Sequence, residues 1–335
     1  LDSHRTGVED TMIELYLVKP NEMIEIPTSS ISWSGQRFKS ARKITANILY
    51  TDRGGLQYTK ITHGDTVLFN WKGKELFRGI VWDFNKTKSG TLVMVAYDIL
   101  QYLLANKDVY VFTNKRATDI AVRICKDFQI PRGTIANTGV RLDELFVNET
   151  TLYDMILRSL INTEKQSGQR FQLLSRKGKL NLIEWKESTD QWVLETGVNL
   201  IDYNYSSSLS DTITRVKLIS GDDNNTVTAV VNDGSGQRKY GVLQHFERVN
   251  DDLSKNQLTN RARKTLNQKK GIQRHLEVDA LGIDEIISGM PVYVIENDIN
   301  VKGTYYVDSD THFFMGDYHD MKLNLLEKNT MAEVV

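Results

Sequence analysis

The chain has 335 residues, more than one hydrophobic core usually supports, so its length predicts two to four domains. Apolar residues make up 40% and charged residues 25%, the proportions of a folded globular protein, which excludes disorder as the starting expectation. With 42 Lys and Arg against 43 Asp and Glu the net charge is -1, so no overall field draws the chain to nucleic acid or an anionic membrane.

The segment Leu1 to Met12 is polar and charged, and no stretch approaches the roughly 18 apolar residues of a membrane span, so neither a signal peptide nor membrane insertion is expected. From Met12 to Asp98 the apolar residues alternate, as in Ile13, Leu15 and Leu17 or Ile44, Ala46 and Ile48, or run together, as in Val67-Leu68-Phe69. Turn signals at Lys19-Pro20-Asn21, Asp52-Arg53-Gly54-Gly55, Lys72-Gly73-Lys74 and Lys88-Ser89-Gly90 punctuate these strands. Short strands at hairpin spacing predict a small barrel or sandwich.

The period then changes. A helix is predicted to start within Ala96 to Ala105, and Ala121, Ile124, Cys125 and Phe128 share the face of a second helix that ends before Pro131. Thr151 is placed to cap a third, with Leu152, Met155, Ile156 and Leu160 on one side. Phe171 to Leu174 and Leu180 to Trp185 read as a hairpin turning at Lys177-Gly178. Beyond Gly197 strands return at Thr212 to Ile219, Thr226 to Val231, His275 to Val278, Pro291 to Ile295, Gly303 to Asp308 and Met321 to Leu326. One amphipathic helix, Ser254 to Lys270, interrupts them with Leu258, Ala262, Thr265 and Leu266 together.

Two β-rich regions thus flank a mixed insert, and they share an order. Gly64 stands three residues before Val67 and Gly289 three before Val292; Gly79 and Gly303 follow at similar spacing, then an alternating strand closes each run. The order suggests two related barrels, although glycine-punctuated hairpins resemble one another by chance.

Candidate chemistry is sparse. Asp308, Asp310 and His312, followed by Asp317, His319 and Asp320, form the sharpest cluster: alternation places the first three on one strand face, a ligand set suited to a divalent metal. The competing reading, a polar outer strand face leading into the turn Met315-Gly316-Asp317, is favoured, so no metal is expected. Cys125, the sole cysteine, allows no intrachain disulfide and sits in a helix-interior pattern typical of an inert thiol. No nucleophile elbow or phosphate loop is found, and Asp143-Glu144 and Asp251-Asp252 read as a solvated turn and the start of a helix. The tetrapeptide Ser-Gly-Gln-Arg, at Ser34, Ser167 and Ser235, reads as repeated turn chemistry. Lys255, Arg261, Arg263, Lys264, Lys269, Lys270 and Arg274 make the late helix basic, but without interleaved aromatics it reads as a solvated or subunit-facing helix. No catalytic residue, cofactor or sequence-specific nucleic-acid contact is expected.

The strings Gly64-Asp65-Thr66-Val67, Leu76-Phe77-Arg78-Gly79-Ile80-Val81 and Leu92 to Ala96 ending in Tyr97-Asp98 resemble the late control gene D family of contractile-tail hub proteins, and more closely the hubs of Gram-positive prophages and PBSX-like bacteriocins. Asp98 to Leu104, Thr118 to Phe128, Asn204 to Val216, Tyr240-Gly241 and Gly303 to Val307 with His312 and His319 fall in the family's order. The resemblance implies a mainly β, α+β fold: a first β-barrel domain over 1-105, a mixed α/β domain over 106-196, and a second β-barrel domain with one amphipathic helix over 197-335. It makes Gly64, Asp65, Val67, Phe77, Gly79, Val81, Gly289, Val292, Gly303 and Val307 structural. It also implies a homotrimer in a virion or tail-like particle, assembled in the bacterial cytoplasm. The implied partners are the tail tube protein, the central spike protein, the tape measure and other baseplate proteins. The rivals are a tail-associated cell-wall hydrolase and an OB-type nucleic-acid-binding barrel.

Overall fold

In the computed structural model the described residues are 12–38, 41–49, 60–88, 91–185, 191–221, 226–249 and 253–329. They divide into two compact units, one of residues 1–203 with 277–335 and one of residues 204–276.

The first unit starts with β1 (Ile13–Lys19), β2 (Glu22–Glu25), β3 (Thr28–Gln36), β4 (Lys43–Leu49), β5 (Thr66–Trp71), β6 (Lys74–Lys86) and β7 (Thr91–Tyr97). Their order across the sheet is β3-β4-β7-β6-β5-β1-β2. Two-residue alternation sends Ile13, Leu15 and Leu17 of β1, Ile44, Ala46 and Ile48 of β4, and Leu92, Met94 and Ala96 of β7 into one core. The sheet curls around that core, so that the Ile26 amide before β3 donates to the Leu15 carbonyl of β1 at 2.7 Å. Lys72 and Gly73, both at positive φ, form the tight turn between β5 and β6. The turn signals at Asp52 to Gly55 and Ser89-Gly90 lie outside the described residues.

A mixed segment follows: α1 (Leu100–Ala105), β8 (Lys107–Arg116), α2 (Ala117–Asp127), β9 (Arg132–Ile135), β10 (Arg141–Thr151), α3 (Leu152–Ser167), β11 (Phe171–Arg176) and β12 (Lys179–Glu184). The Thr151 hydroxyl accepts the Asp154 amide and caps α3, and Gly168 ends it at positive φ. Ile120, Ala121, Ile124 and Cys125 of α2 pack with Leu152, Met155, Ile156 and Leu160 of α3 over the small sheets β10-β8 and β11-β12-β9. Asp143 and Glu144 are exposed within β10, where a turn was expected: the buried Leu142 and Leu145 on either side hold the segment extended.

The chain then forms β13 (Trp192–Glu195) and β14 (Leu200–Ser208), which leads into the second unit, and returns through β18 (Gln273–Leu281) to β19 (Pro291–Glu296), β20 (Val301–Met315) and β21 (Tyr318–Leu326). These strands lie in the order β14-β18-β21-β20, with β19 on β20 and β13 on β19. In chain order they match β3-β4-β7-β6-β5-β1 strand for strand. One pair departs from the match: β13 and β19 run parallel, whereas β1 and β5 are antiparallel. The two halves are joined by antiparallel pairing of β3 with β20, from Gln36 opposite Ser309 to Ile31 opposite Phe314, so that thirteen described strands make one sheet.

The second unit holds β15 (Arg215–Ser220), β16 (Val227–Asn232), α4 (Gly234–Tyr240), β17 (Gln244–Val249) and α5 (Lys255–Lys269). Ser254 and Gln257 form a capping box at the start of α5, whose Leu258, Ala262 and Leu266 bury against Val216 and Leu218 of β15 and Ala229 of β16. One helix was expected in this region. The second, α4, opens on Gly-Ser-Gly, poor helix formers that read as a turn. The three Ser-Gly-Gln-Arg copies take different forms, at the end of β3, at the C-terminus of α3 and inside α4, so the shared tetrapeptide is not one turn repeated.

Candidate assembly site

Gly64 and Gly289 adopt φ of 86° and 98°, a region open to glycine and costly for other residues. The Gly64 amide donates to the Val81 carbonyl at 2.9 Å, and the Val81 amide donates back to Asp65 at 2.8 Å. The Gly289 amide donates to the Val307 carbonyl at 2.8 Å, and the Val307 amide donates back to Met290 at 3.0 Å. A β-bulge follows each valine, between Val81 and Asp83 against β7 and between Val307 and Ser309 against β21. Gly64 and Gly289 therefore occupy equivalent places, as do Val81 and Val307.

Gly79 and Gly303 do not correspond. Val67 pairs with Gly79, whereas Val292 pairs with Tyr305, and Gly303 lies opposite Val294. A Cβ on Gly79 would fall 2.3 Å from the Tyr97 carbonyl oxygen and 2.4 Å from the Phe77 ring; a Cβ on Gly303 would meet open space. Val67, Phe77, Val81, Val292 and Val307 are buried. The Asp65 carboxylate accepts from Lys19 Nζ at 2.6 Å and from the Thr62 amide at 2.8 Å. Burial works to raise its pKa, but these bonds together hold it below the usual carboxylate range.

The junction of the two halves carries a buried polar network. Arg42, just before β4, grips Asp310 of β20 through two nitrogens at 2.8 and 2.5 Å, and the Ser288 amide donates to the same carboxylate at 2.6 Å. The guanidinium lies 4.1 Å over the Trp33 ring of β3. His312 Nε2 lies 2.9 Å from the Ile286 carbonyl, which can only accept, so the proton sits there. Nδ1 is then the acceptor for His319 Nε2 at 2.9 Å. Burial pushes both imidazoles down to about 4, with the neighbouring ring adding to the effect at His319. Burial also pushes the Asp98 carboxyl up to about 7, against the hydrogen bonds from the Leu100 and Arg42 amides.

The outer polar face expected at Asp308 to His312 is corrected here: Asp310 and His312 point inward and are fully buried. The bulge after Val307 shifts the alternation by one, so that Val307 and then Asp310, His312 and Phe314 all face the interior. Asp310 is committed to Arg42, and among the described residues no group of three or more His, Cys, Asp and Glu is placed to hold a metal ion. Cys125 is buried, and burial pushes its thiol up to about 11, so it has no thiolate character at neutral pH. On the basic helix Arg261 pairs with Glu247 at 2.6 Å, and Lys255 donates to the Thr228 carbonyl. Asp251-Asp252 lies outside the described residues.

The chemistry of this arrangement is that of fixed β-pairing and buried polar locks. Sequence reasoning missed Arg42, whose partner lies 268 positions away. The cluster of Asp308, Asp310 and His312 within one strand was the available signal.

A family model described as YQBQ-like matches residues 31–326. The protein YqbQ of Bacillus subtilis strain 168 is 48% identical over 326 residues, covering 97% of this chain and 99% of that protein. The phage-like element PBSX protein XkdQ of the same organism is 49% identical over 327 residues, covering 97% and 100%. Among solved structures, the 43 kDa tail protein of prophage MuSo2 from Shewanella oneidensis aligns with a TM-score of 0.72 at 14% identity, covering 93% of this chain and 98% of that one, a likeness of fold.

Proposed function

The chain belongs to the YQBQ-like family, and from that premise we propose that it is a structural subunit of a phage-type contractile-tail baseplate, the hub between the tail tube and the central spike. The observation that carries the reading is the strand order found twice in one chain. A subunit with two like halves presents twice as many equivalent surfaces as copies. Three copies in a ring thus offer six similar lobes to a sixfold tube on one side, while keeping threefold symmetry for a spike on the other.

In this reading β1 to β7 form the first tube-like barrel, and β13, β14 and β18 to β21 form the second. The mixed segment lies between them in sequence, and the unit of residues 204–276 is carried as an insertion in the second barrel. The tape measure and other baseplate proteins are the further partners, and assembly takes place in the host cytoplasm. No catalytic step is assigned to the chain, whose buried Asp310 and His312 are engaged by Arg42 and His319. Native mass spectrometry of the purified protein tests the reading. A complex of three chains is expected, and a stable dimer or tetramer contradicts it.

A further inference from the structure

We infer that the first unit binds a tetrahedral oxyanion, phosphate or sulfate, in the cavity beside the Arg42–Asp310 lock, with Arg37 as its counter-charge. The cavity, of about 60 Å³, lies between the end of β3, the start of α1, α3, β11 and the segment before β19. Arg37, Arg42, Asp98, Tyr153, Gln172 and Ser288 are among the residues that line it. At roughly 10–15 Å³ for a single water, there is room for about four waters, or for one ion of the size of phosphate in their place.

Arg37 is the reason to expect an anion. It is 7% exposed, and its guanidinium is flanked by the Phe38 ring at 5.0 Å and the Trp185 ring at 5.6 Å. Nη1 donates to the Asn329 side-chain oxygen at 2.8 Å, while Nε is buried and meets no acceptor. Among the described residues Arg37 makes no ion pair. Burial pulls its pKa below the ordinary arginine value; Asp308 opposes this from beyond ion-pair distance, and Arg170 adds to it. A buried guanidinium without an anion is strongly destabilising, and the fold brings no carboxylate into contact with this one.

The rest of the wall is rich in donors. Arg42 commits Nη1 and Nη2 to Asp310, and its Nε is buried with no acceptor. Tyr153 is buried, and burial raises its pKa, with Asp98 and Asp154 adding to the effect, so its hydroxyl keeps its proton. Gln172 and Ser288 add an amide and a hydroxyl. The carboxyl group at the wall, Asp98, accepts the Leu100 amide on one oxygen and the Arg42 amide on the other. Burial pushes it up to about 7, so it is largely neutral at pH 6 and does not repel an anion there. Guanidinium groups fit the paired oxygens of a phosphate or sulfate, which sets these ions above chloride.

Equilibrium dialysis of the full chain against radiolabelled phosphate at pH 6 measures the binding, and urea midpoints read by tryptophan fluorescence measure its effect on the first unit. One phosphate per chain is expected, displaced by sulfate and retained in chloride of equal ionic strength. Arg37→Met removes the counter-charge and should weaken binding by about 10- to 100-fold. Gln172→Glu, at a half-buried position, sets a carboxylate of nearly the same shape against the ion and should weaken binding about tenfold, a second readout if the Arg37 variant does not fold. Phosphate should raise the parent's midpoint and leave that of Arg37→Met in place. No saturable binding by the parent, displacement by chloride as readily as by sulfate, binding that both variants leave intact, or an equal rise in all three midpoints overturns the site.

Discussion

Removing Arg42 exposes how the two halves of the sheet are held. Asp310 has no exposed side-chain surface, and Arg42 supplies two hydrogen bonds to its carboxylate, with another from the Ser288 amide. Arg42→Ala strands a buried charge, a loss of about 3–5 kcal/mol. The contact of the guanidinium with Trp33 is lost with it. Replacing both partners, as in the Arg42→Met, Asp310→Leu variant, removes the stranded charge and is expected to cost less than either single change, because the pair's attraction largely offsets its desolvation. The assay is urea unfolding followed by tryptophan fluorescence. All five tryptophans, at 33, 71, 82, 185 and 192, lie in the first unit, so the signal reports that unit alone. With a slope of about 3 kcal/mol per molar urea, Arg42→Ala should lower the midpoint by roughly 1–1.7 M. A single-variant loss below about 1 kcal/mol, or a double variant costing the sum of the two singles, would refute the reasoning.

The pH dependence of the first unit combines opposing groups. The folded His312 pKa of about 4 lies below its unfolded value, so acidification from 6.5 to 4 protonates the unfolded chain first and removes up to about 3 kcal/mol. Asp98, folded at about 7, has the opposite sign: acidification from 7 to 4 restores up to about 4 kcal/mol. Asp98→Asn should therefore lose stability to acid more steeply than the parent in urea titrations between pH 4.5 and 7; equal slopes would contradict the assignment. Gly79→Ala should cost about 2–4 kcal/mol through collision with Tyr97 and Phe77, while Gly303→Ala should fall within about 0.5 kcal/mol of the parent, both read from urea midpoints. Leu258→Ala should destabilise the second unit by about 2–5 kcal/mol, seen as faster amide exchange in β15 and α5 with the tryptophan transition unmoved. Cys125 should be silent to a thiol reagent until the first unit unfolds, and prompt labelling of the native chain would place it elsewhere than the α2 core.

Local patterns were legible wherever one face of an element is buried. Alternation at Ile13 to Leu17 and Leu92 to Ala96, the Thr151 cap and the Ser254 start all depend on residues a few positions apart. What was not legible depends on residues far apart. A single-residue bulge after Val307 inverts the face of every later residue in β20, and nothing in the composition of Asp308 to His312 announces it. The glycine spacing pointed to two similar runs, yet it matched Gly79 with Gly303, because one residue more separates Val292 from its partner Tyr305 than separates Val67 from Gly79. The pairing of β3 with β20, and Arg42 with Asp310, couples residues nearly the whole chain apart and leaves no periodic trace. The helix α4 escaped notice because its glycines oppose helix formation and its stability comes from its setting.

The central claim is that one chain supplies two equivalent halves to a ring. Class-averaged electron micrographs of the assembled protein viewed down its axis test it most directly. The account predicts a six-lobed ring with threefold symmetry, in which alternate lobes differ slightly. A ring of three lobes, or one whose lobe number is not twice the number of chains, would contradict it.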